Sequence, residues 1–304
     1  MRRETAAQDY AFAPRPRYHL RVQGREVALG DKTQVMAVLN VTPDSFSDGG
    51  RHDTPDAALR RLEEVWREGA DWVDLGGEST RPGAPEVDTE TEWARIGTVL
   101  VAAQRRGFPL PISIDTTKSE VARRALGAGA AAINDVSGLR FDPGIADLAR
   151  DSRAVLFLMH MRGNPRTMQQ DTHYTDLLGE IRASLSASID VARSRGVTSD
   201  QIVVDPGIGF GKELDQNLEL LGAVPALERL GRPVLIGASR KSFLGRILGL
   251  PPELRGAGSV SAHVGAVLAG AHFVRVHDVG ATVEAVRVAD EMLRVMRVRQ
   301  TADP

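Results

Sequence analysis

The chain contains 304 residues, of which 42% are hydrophobic, and this is enough for one large α/β domain. A net charge of −2 argues against nucleic acid or an anionic membrane surface as the main partner, because neither would meet a basic field on the protein. The lack of cysteine excludes disulfides, thiolate metal sites and cysteine nucleophiles.

The N-terminal segment MRRETAAQDYAFAPRP lacks the apolar core of a secretory signal, and no run approaches the roughly 20 apolar residues of a membrane helix. We therefore expect a cytoplasmic protein, which the absence of cysteine also favours. Mixed charges with Ala and Pro over residues 1–16 indicate a flexible tail. Residues 17–34 alternate around Gln23-Gly24, which predicts a small hairpin that covers the bottom of the following domain.

Residues 35–300 repeat one pattern: a short apolar run, a polar residue, a loop with Gly or Pro, and an amphipathic segment. Strands that alternate with helices in this way form a parallel sheet, whose strands are buried on both faces. The apolar runs cover 35–39, 72–75, 111–114, 131–133, 154–159, 202–204, 233–236 and 273–276. Eight such runs predict a single (β/α)8 TIM barrel, an α/β fold that typically needs about 250 residues. Length alone would also permit two smaller domains, but no Pro-, Ser- or Gly-rich linker divides the chain.

Each predicted strand ends in or near a polar side chain. These strand-end residues are Asn40, Asp74, Asp115, Asn134, His160, Asp205, Ser239 and His277. In a (β/α)8 barrel they converge on one rim, where barrel enzymes place their chemistry. The alternative for each residue alone is that it caps the helix after its strand. The loops after the second and fifth strands, near residues 76–88 and 161–174, exceed the usual 2 to 6 residues and are typical of functional loops.

The rim carries acceptors and cations together. Asp115, Asn134 and Asp205 suit a ligand edge with adjacent N–H donors, because a carboxylate can accept two hydrogen bonds side by side. The cationic side chains are Arg81, Arg240, Lys241, Arg275 and His277. This combination favours a ligand that joins a heterocycle to an anion.

Arg275 lies inside an apolar strand, and the two-residue period of a strand turns it to the same face as His277. An unpaired buried arginine is costly, so we expect it to meet an anion. Phosphate is one candidate, since barrels commonly bind phosphate at the loops after strands seven and eight. A structural ion pair with one of the three rim aspartates is the alternative.

The glycine-rich segment DPGIGFGK, residues 205–212, is not a nucleotide-binding loop. A P-loop needs four residues between its first glycine and the Gly-Lys pair, whereas only three separate Gly207 from Gly211-Lys212. We predict instead a tight loop that lets a ligand approach the backbone beside Phe210. The seven histidines form no zinc-binding pattern, and His160 is interpreted as a packing or capping residue.

Seven segments, in order, resemble the dihydropteroate synthase family: LNVTPDSFSDGG, DLGGESTRPGA, SIDTTKSEVA, INDVSG, VDPGIGFGK, GASRKSFLG and FVRVHDV. The resemblance implies a barrel that joins 6-hydroxymethyl-7,8-dihydropterin diphosphate to 4-aminobenzoate, giving 7,8-dihydropteroate and diphosphate in folate biosynthesis. It also implies Mg²⁺ as cofactor and a homodimer as the assembly. Neither nucleic acid nor membrane is an implied partner.

The resemblance further implies roles for single residues. The implied pterin-binding set is Asp115, Asn134, Val136, Met159, Asp205, Lys241 and Arg275. The implied diphosphate-binding set is Asn40, Arg81, Arg275 and His277, with Asn40 as the Mg²⁺ ligand. The implied aminobenzoate-binding set is Phe46, Thr80, Arg81, Pro82, Phe210 and Ser242. The implied catalytic set is Arg81, Lys241, Arg275 and His277.

Other functions remain as alternatives. A methyltetrahydrofolate methyltransferase shares a pterin-binding barrel but needs no cationic diphosphate site. A catalytically silent pterin-binding paralogue would have lost Asn40, Lys241 or Arg275, and all three are present. A phosphosugar barrel enzyme is disfavoured by the acidic side chains of the rim.

Overall fold

The computed structural model describes residues 15–41, 55–80 and 83–302. It opens with an antiparallel hairpin of β1 (Tyr18–Val22) and β2 (Arg25–Leu29). The two turn residues, Gln23 and Gly24, both have positive φ, 48° and 79°. Positive φ at both central positions is the type I′ geometry that matches the twist of a two-residue hairpin. The predicted hairpin is confirmed.

Eight parallel strands follow and form a nearly closed barrel. They are β3 (Gln34–Asn40), β4 (Trp72–Gly76), β5 (Ile112–Asp115), β6 (Ala132–Asp135), β7 (Val155–Met159), β8 (Ile202–Asp205), β9 (Leu235–Ile236) and β10 (Phe273–Val276). Their order is β8-β7-β6-β5-β4-β3-β10-β9. A parallel bridge between Val204 and Val234 joins β8 to the start of β9 and completes the circle. The predicted (β/α)8 barrel is confirmed.

Helices surround this barrel. They are α1 (Pro55–Arg67), α2 (Thr89–Arg105), α3 (Ser119–Gly127), α4 (Gly144–Ser152), α5 (Leu177–Ser194), α6 (Leu214–Gly222), α7 (Val224–Glu228), α8 (Ser242–Leu248), α9 (Gly256–Leu268) and α10 (Val279–Ala302). Asp88 and Asp176 begin α2 and α5, where their carboxylates accept backbone N–H groups that have no partner inside the helix. Within the described ranges, no helix is both long and apolar enough to cross a membrane.

The bottom of the barrel is filled with aromatic side chains. Trp72, Phe157 and Phe273 meet edge to face, with ring centroids 5.5 to 6.0 Å apart. Leu20 and Leu29 of the hairpin pack into the same cluster and are each 1% exposed. The hairpin therefore covers the bottom opening, as predicted, and strands β3–β10 direct their other ends toward the opposite rim.

Arg15, which lies within the segment predicted as a tail, is held by the folded chain. Arg15 is only 2% exposed. Its guanidinium donates to Asp290 Oδ1 at 2.5 Å, to Thr33 Oγ1 at 2.7 Å and to the Ala271 carbonyl at 2.9 Å. A buried arginine must be paired, and Arg15 is fixed to Asp290 of the last helix. Residues 1–14 of the predicted tail lie outside the described residues.

Candidate active site

Four strand ends lie in register at the top of the barrel. Asn40 pairs with Gly76, Gly76 with Asp115, and Asp115 with Asn134, across β3 to β6. Gly76 has no side chain, and a Cβ there would lie 3.2 Å from Asn40 Oδ1 and 3.5 Å from Asp115 Cβ. The glycine thus leaves room for the amide and the carboxylate on either side of it.

Asp74 binds two of the predicted site residues together. Its Oδ2 accepts a hydrogen bond from Arg275 Nε at 2.6 Å and another from Asn134 Nδ2 at 2.9 Å. Arg275 Nη2 also donates to Asp115 Oδ2 at 2.9 Å. The alternative of an ion pair for Arg275 is therefore realised, with two aspartates at once. Asp74 itself is fully buried, and its Oδ1 has no hydrogen-bond partner among the described residues.

The charged groups in this network shift one another's pKa values. Burial raises the pKa of Asp115 to about 7, and the neighbouring Arg275 partly opposes that shift. Burial also disfavours the cation of Arg275, but Asp74 and Asp115 outweigh this effect and raise the arginine pKa. Arg275 therefore stays charged, whereas the carboxyl of Asp115 titrates close to neutral pH.

A second group of predicted residues adjoins the first. Lys241 Nζ donates to the Ile208 carbonyl at 2.8 Å and lies 4.0 Å from the centroid of the Phe210 ring. Burial lowers the pKa of Lys241 to about 7, and Asp205 is the strongest opposing influence. The charge of Arg275 lowers the pKa values of both Asp205 and Lys241. The group around Asp74 and the group around Lys241 therefore belong to one site.

Asp205 is buried at the end of β8, with 6% of its surface exposed. Its Oδ1 accepts the backbone N–H of Gly207 at 2.7 Å. Burial raises the pKa of Asp205, while the Gly207 N–H and Lys241 act in the opposite direction because they stabilise the carboxylate.

Apolar side chains line the same end of the barrel. Val136, Met159 and Phe210 form one buried cluster with Met161 and Met168. Thioether side chains adapt their shape and make favourable contacts with flat ring systems. The cluster therefore offers an apolar wall beside the polar groups.

His277 is neutral at physiological pH. Burial, followed by the field of Arg275, lowers its pKa to about 3. Its Nδ1 lies 2.9 Å from Ser239 Oγ, which also accepts the backbone N–H of His277 at 3.1 Å. If the hydroxyl proton points to Nδ1, the ring proton is on Nε2 and that nitrogen is a donor. Arg240, by contrast, is bound in bidentate fashion to Asp278 at 2.5 and 3.1 Å.

The predicted aminobenzoate side is only partly described. Thr80 is half-buried and lines a cavity of about 540 Å³ together with Asp115 and Val136. Ser242 is exposed at the first position of α8. Phe46, Arg81 and Pro82 lie outside the described residues. Neither Phe210 nor Ser242 lines this cavity, so it does not include the whole predicted site.

Two residues make contacts that the sequence did not assign to them individually. Asp74 is one of the three aspartates expected as a partner for Arg275, and the structure adds its contact with Asn134; the signal that distinguishes it is a carboxylate inside an apolar strand, matching the arginine inside β10. Lys212 was treated only as a failed P-loop lysine. It is 4% exposed, and its Nζ lies 3.0 Å from His160 Nδ1.

The chain is similar to known proteins over most of its length. Residues 36–277 match the family described as "Pterin binding enzyme". A dihydropteroate synthase of Synechocystis is 48% identical over 87% of this chain and 92% of its own length. The Escherichia coli K12 dihydropteroate synthase is 42% identical over 85% of this chain and 91% of its own length.

Solved structures agree with these relatives. The Xanthomonas albilineans dihydropteroate synthase with 4-aminobenzoic acid has a TM-score of 0.84 and 44% identity, covering 91% of this chain and 98% of that one. The Burkholderia cenocepacia dihydropteroate synthase complexed with 7,8-dihydropteroate has a TM-score of 0.81 and 43% identity, covering 92% and 98%.

Proposed function

The chain belongs to the pterin-binding enzyme family, among the dihydropteroate synthases, and we propose that the rim residues described above bind and activate its two substrates. It is a transferase that joins 6-hydroxymethyl-7,8-dihydropterin diphosphate to 4-aminobenzoate, giving 7,8-dihydropteroate and diphosphate in folate biosynthesis. The observation that carries the residue assignments is the contact of Arg275 with Asp74 and Asp115, close enough to Asp205 and Lys241 for the charges to act on one another.

The pterin is held by acceptors on one side and an apolar wall on the other. Asp205 and Asp115 accept the adjacent N–H donors of the aminopyrimidinone edge, a pairing that suits two-oxygen carboxylates. Asn134 Nδ2 is already bound to Asp74, which leaves its amide oxygen for the ligand. Met159 and Val136 lie in the buried apolar cluster and pack against the ring face.

The diphosphate is held by Arg275 and His277, with Arg81 from the second loop. The contacts of Arg275 to aspartate use Nε and Nη2, so its Nη1 has no partner within the described part of the chain and donates to the diphosphate. His277 is neutral and donates through Nε2. Donors fixed in advance at the point where negative charge develops are the largest single source of rate enhancement in many enzymes.

Mg²⁺ fits the residues at this rim with Asn40 as its protein ligand. The described residues hold no cluster of three acidic or histidine ligands, which a dedicated all-protein site would need. Mg²⁺ usually takes one or two protein oxygens together with substrate phosphates and waters, and the amide oxygen of Asn40 on the same rim as Asp115 suits that mode. The ion would neutralise charge on the departing diphosphate.

The reaction needs little acid–base catalysis. The bond between the pterin methylene carbon and the diphosphate oxygen breaks, and its electron pair leaves with the diphosphate. The amino nitrogen of 4-aminobenzoate then forms the new bond to carbon and releases one proton. The aminobenzoate is held by Thr80, Phe210 and Ser242, together with Phe46 from the segment after the first barrel strand and Arg81 and Pro82 from the segment after the second. These residues also exclude water as a competing nucleophile.

A homodimer completes the proposal. Helix α9 carries no charged residue from Gly256 to Leu268. On the neighbouring α10, Val288, Met292 and Val295 are 64%, 41% and 43% exposed at the spacing of one helix face. A second copy of the chain would cover this apolar surface. Sedimentation equilibrium should then give twice the chain mass of 32.8 kDa, and a monomer at micromolar concentration would contradict the proposal. A cytoplasmic location, consistent with the absence of cysteine, is part of the same proposal.

The decisive assay incubates the protein with pterin diphosphate, 4-aminobenzoate and Mg²⁺ and measures released diphosphate. We expect release that requires the arylamine and that stops when Mg²⁺ is chelated. Release that is independent of the arylamine would indicate a hydrolase instead. The Asn40→Ala variant should need a higher Mg²⁺ concentration for half-maximal rate, and an unchanged requirement would remove Asn40 as the ligand.

A further inference from the structure

The loop after β8, residues 207–212, is held almost entirely by side chains. Each of its six backbone carbonyls accepts a hydrogen bond from a side-chain donor. The pairs are Gly207 and Phe210 with Lys212 Nζ, Ile208 with Lys241 Nζ, Gly209 with Gln169 Nε2, Gly211 with Tyr174 Oη, and Lys212 with Asn217 Nδ2. A loop without regular secondary structure needs such partners, because its buried carbonyls would otherwise lose their hydrogen bonds to water.

Lys212 is the central donor of this set. Its ammonium contacts the Gly207 and Phe210 carbonyls at 2.9 Å each and His160 Nδ1 at 3.0 Å. An ammonium has three donors, and these three contacts use all of them. Burial lowers the pKa of His160 to about 2, so the imidazole is neutral and Nδ1 is free to accept.

Of the two residues that Lys212 binds through their carbonyls, Phe210 belongs to the proposed substrate site and Gly207 contacts Asp205 of that site. The N–H of Gly207 donates to Asp205 Oδ1 at 2.7 Å, so a shift of this glycine moves the hydrogen bond that orients the carboxylate. The ring of Phe210 lies under Lys241 Nζ. Gly207 has a φ of 72°, and a Cβ there would come within 1.9 Å of the His160 carbonyl, so only glycine fits where the loop passes the residue after β7.

Position 212 requires lysine and not arginine. The chain contains 38 Lys and Arg residues, but only four are lysine: Lys32, Lys118, Lys212 and Lys241. A guanidinium is planar and presents its donors as a fork, whereas the three acceptors around Lys212 surround a single nitrogen. Arginine therefore cannot reproduce these contacts.

We propose that Lys212 is a positioning residue, which fixes the 207–212 loop so that Asp205 and Phe210 are held ready for the pterin and the aminobenzoate. It touches neither substrate. Lys241, whose Nζ is bound to only one carbonyl of the same loop, exchanges that carbonyl for the ligand while Lys212 keeps the loop in place. This inference rests on the substrate site proposed above.

The test compares two side chains of equal length at one position. Because the chain has no cysteine, the Lys212→Cys variant carries one thiol, which bromoethylamine converts to a lysine-like ammonium and 1-bromopropane to a neutral chain. Alkylation is done in denaturant and followed by refolding. Wild type and Lys32→Cys are taken through the same cycle, the latter as a control, since Lys32 is exposed and pairs with Asp71 at the opposite end of the barrel.

We expect the neutral form to bind pterin diphosphate at least tenfold more weakly and to raise the KM for 4-aminobenzoate, with a smaller change in kcat at saturation. The ammonium form should recover to within about threefold of wild type, and Lys212→Arg should not. Equal affinities for the neutral and ammonium forms would overturn the proposal. A purely structural role would lower the melting temperature without the split between KM and kcat, and that result would also overturn it.

If the neutral form does not refold, the His160→Ala variant tests the role of Lys212 instead, because it removes only one of the three partners of that lysine. It should weaken pterin diphosphate binding about threefold, and unchanged affinity in the folded variant would contradict the inference. Failure of the wild-type protein to bind pterin diphosphate would instead contradict the proposed site, so the two failures are distinguishable.

Discussion

The two ends of the barrel both bury an arginine, but they do so differently. At the bottom, Arg15 is paired with Asp290 and its side chain is 0% exposed. At the top, Arg275 is paired with Asp74 and Asp115, yet 20% of its side chain is exposed. The bottom pair is sealed by the chain itself, whereas the top pair is open to a ligand. The difference separates a charge that stabilises the fold from one that is positioned for chemistry.

The surroundings of the two arginines support this distinction. The bottom of the barrel holds a buried cluster of aromatic side chains that pack edge to face. The top gathers groups whose pKa values are shifted to about 7, namely Asp115, Lys212 and Lys241. Clusters of shifted pKa values are typical of functional sites.

Arg275→Ala should have the largest effect on catalysis. It removes the proposed diphosphate donor and leaves Asp74 and Asp115 unpaired, so kcat/KM should fall by about 10² or more. Arg15→Ala is the matched control at the bottom, where the loss of a buried partner for Asp290 should lower the free energy of unfolding by about 3–5 kcal/mol. The folded fraction of Arg15→Ala should keep its substrate affinity. Equal losses of kcat/KM in both variants would contradict the distinction between a structural arginine at the bottom and a functional one at the top.

Lys241→Ala should lower kcat/KM by about 10², the size of one lost electrostatic contact in the transition state. Steady-state kinetics with both substrates varied measures this directly. Lys32→Ala, which removes an exposed lysine at the opposite end, is the control. A wild-type rate in Lys241→Ala would exclude this lysine from the mechanism.

The pH profile of kcat/KM should be bell-shaped and centred near pH 7. The pKa of Asp115 is raised to about 7, so its carboxylate becomes available as pH rises, while the pKa of Lys241 is lowered to about 7, so its charge is lost over the same range. Lys241→Ala should therefore lose most of the falling limb, and an unchanged limb would contradict the assignment.

The free energy of unfolding should rise with pH over the range in which kcat/KM falls. Lys241 has a lower pKa in the folded chain than in the unfolded chain, so folding releases a proton between pH 7 and about 10. Its contribution to the free energy of unfolding therefore grows with pH in this window and disappears as pH falls through 7. Urea titrations of wild type and Lys241→Ala between pH 7 and 10 measure the difference.

Asp205→Asn should weaken pterin diphosphate binding about tenfold, since hydrogen bonds to a charged acceptor contribute about 1.5–3 kcal/mol. The amide keeps one acceptor oxygen but replaces the other with a donor, which in the proposed complex would face the N–H groups of the pterin edge. Calorimetric titration gives the affinity, and an unchanged value would refute the role of Asp205.

Phe157→Ala should have the smallest effect on catalysis and a large effect on stability. It opens a cavity in the aromatic cluster at the bottom, and the free energy of unfolding should fall by about 3–5 kcal/mol. We expect kcat/KM of the folded variant to stay within about twofold of wild type. A large loss of activity without a loss of stability would show that the two ends are coupled.

Much of this architecture could be predicted, because local sequence patterns indicate the strands and their ends. Apolar runs followed by polar residues located the strands and the rim, and the positions of Asp115, Asn134 and Asp205 followed from them. Arg275 could be recognised as unusual because a charge inside an apolar strand needs a partner. The same signal is present at Asp74, which is one of the three aspartates expected as an ion-pair partner of Arg275.

Other features depend on contacts that no local pattern contains. Asp290 lies 275 positions from Arg15, so nothing near Arg15 indicates that it is buried. Likewise, the six carbonyl contacts of the 207–212 loop come from several separate elements. Glycine spacing predicted a tight loop there, but not the lysine that holds it.

The most direct test measures separately the binding of the two parts of the pterin diphosphate substrate. We predict that 6-hydroxymethylpterin and inorganic diphosphate each bind wild-type protein. Asp205→Asn should weaken binding of the pterin alone, and His277→Ala should weaken binding of the diphosphate alone. Calorimetric titration of both ligands into the three proteins tests this. If either variant weakens both ligands equally, or neither, the top of the barrel does not divide into an acceptor side and a cationic side, and the account is contradicted.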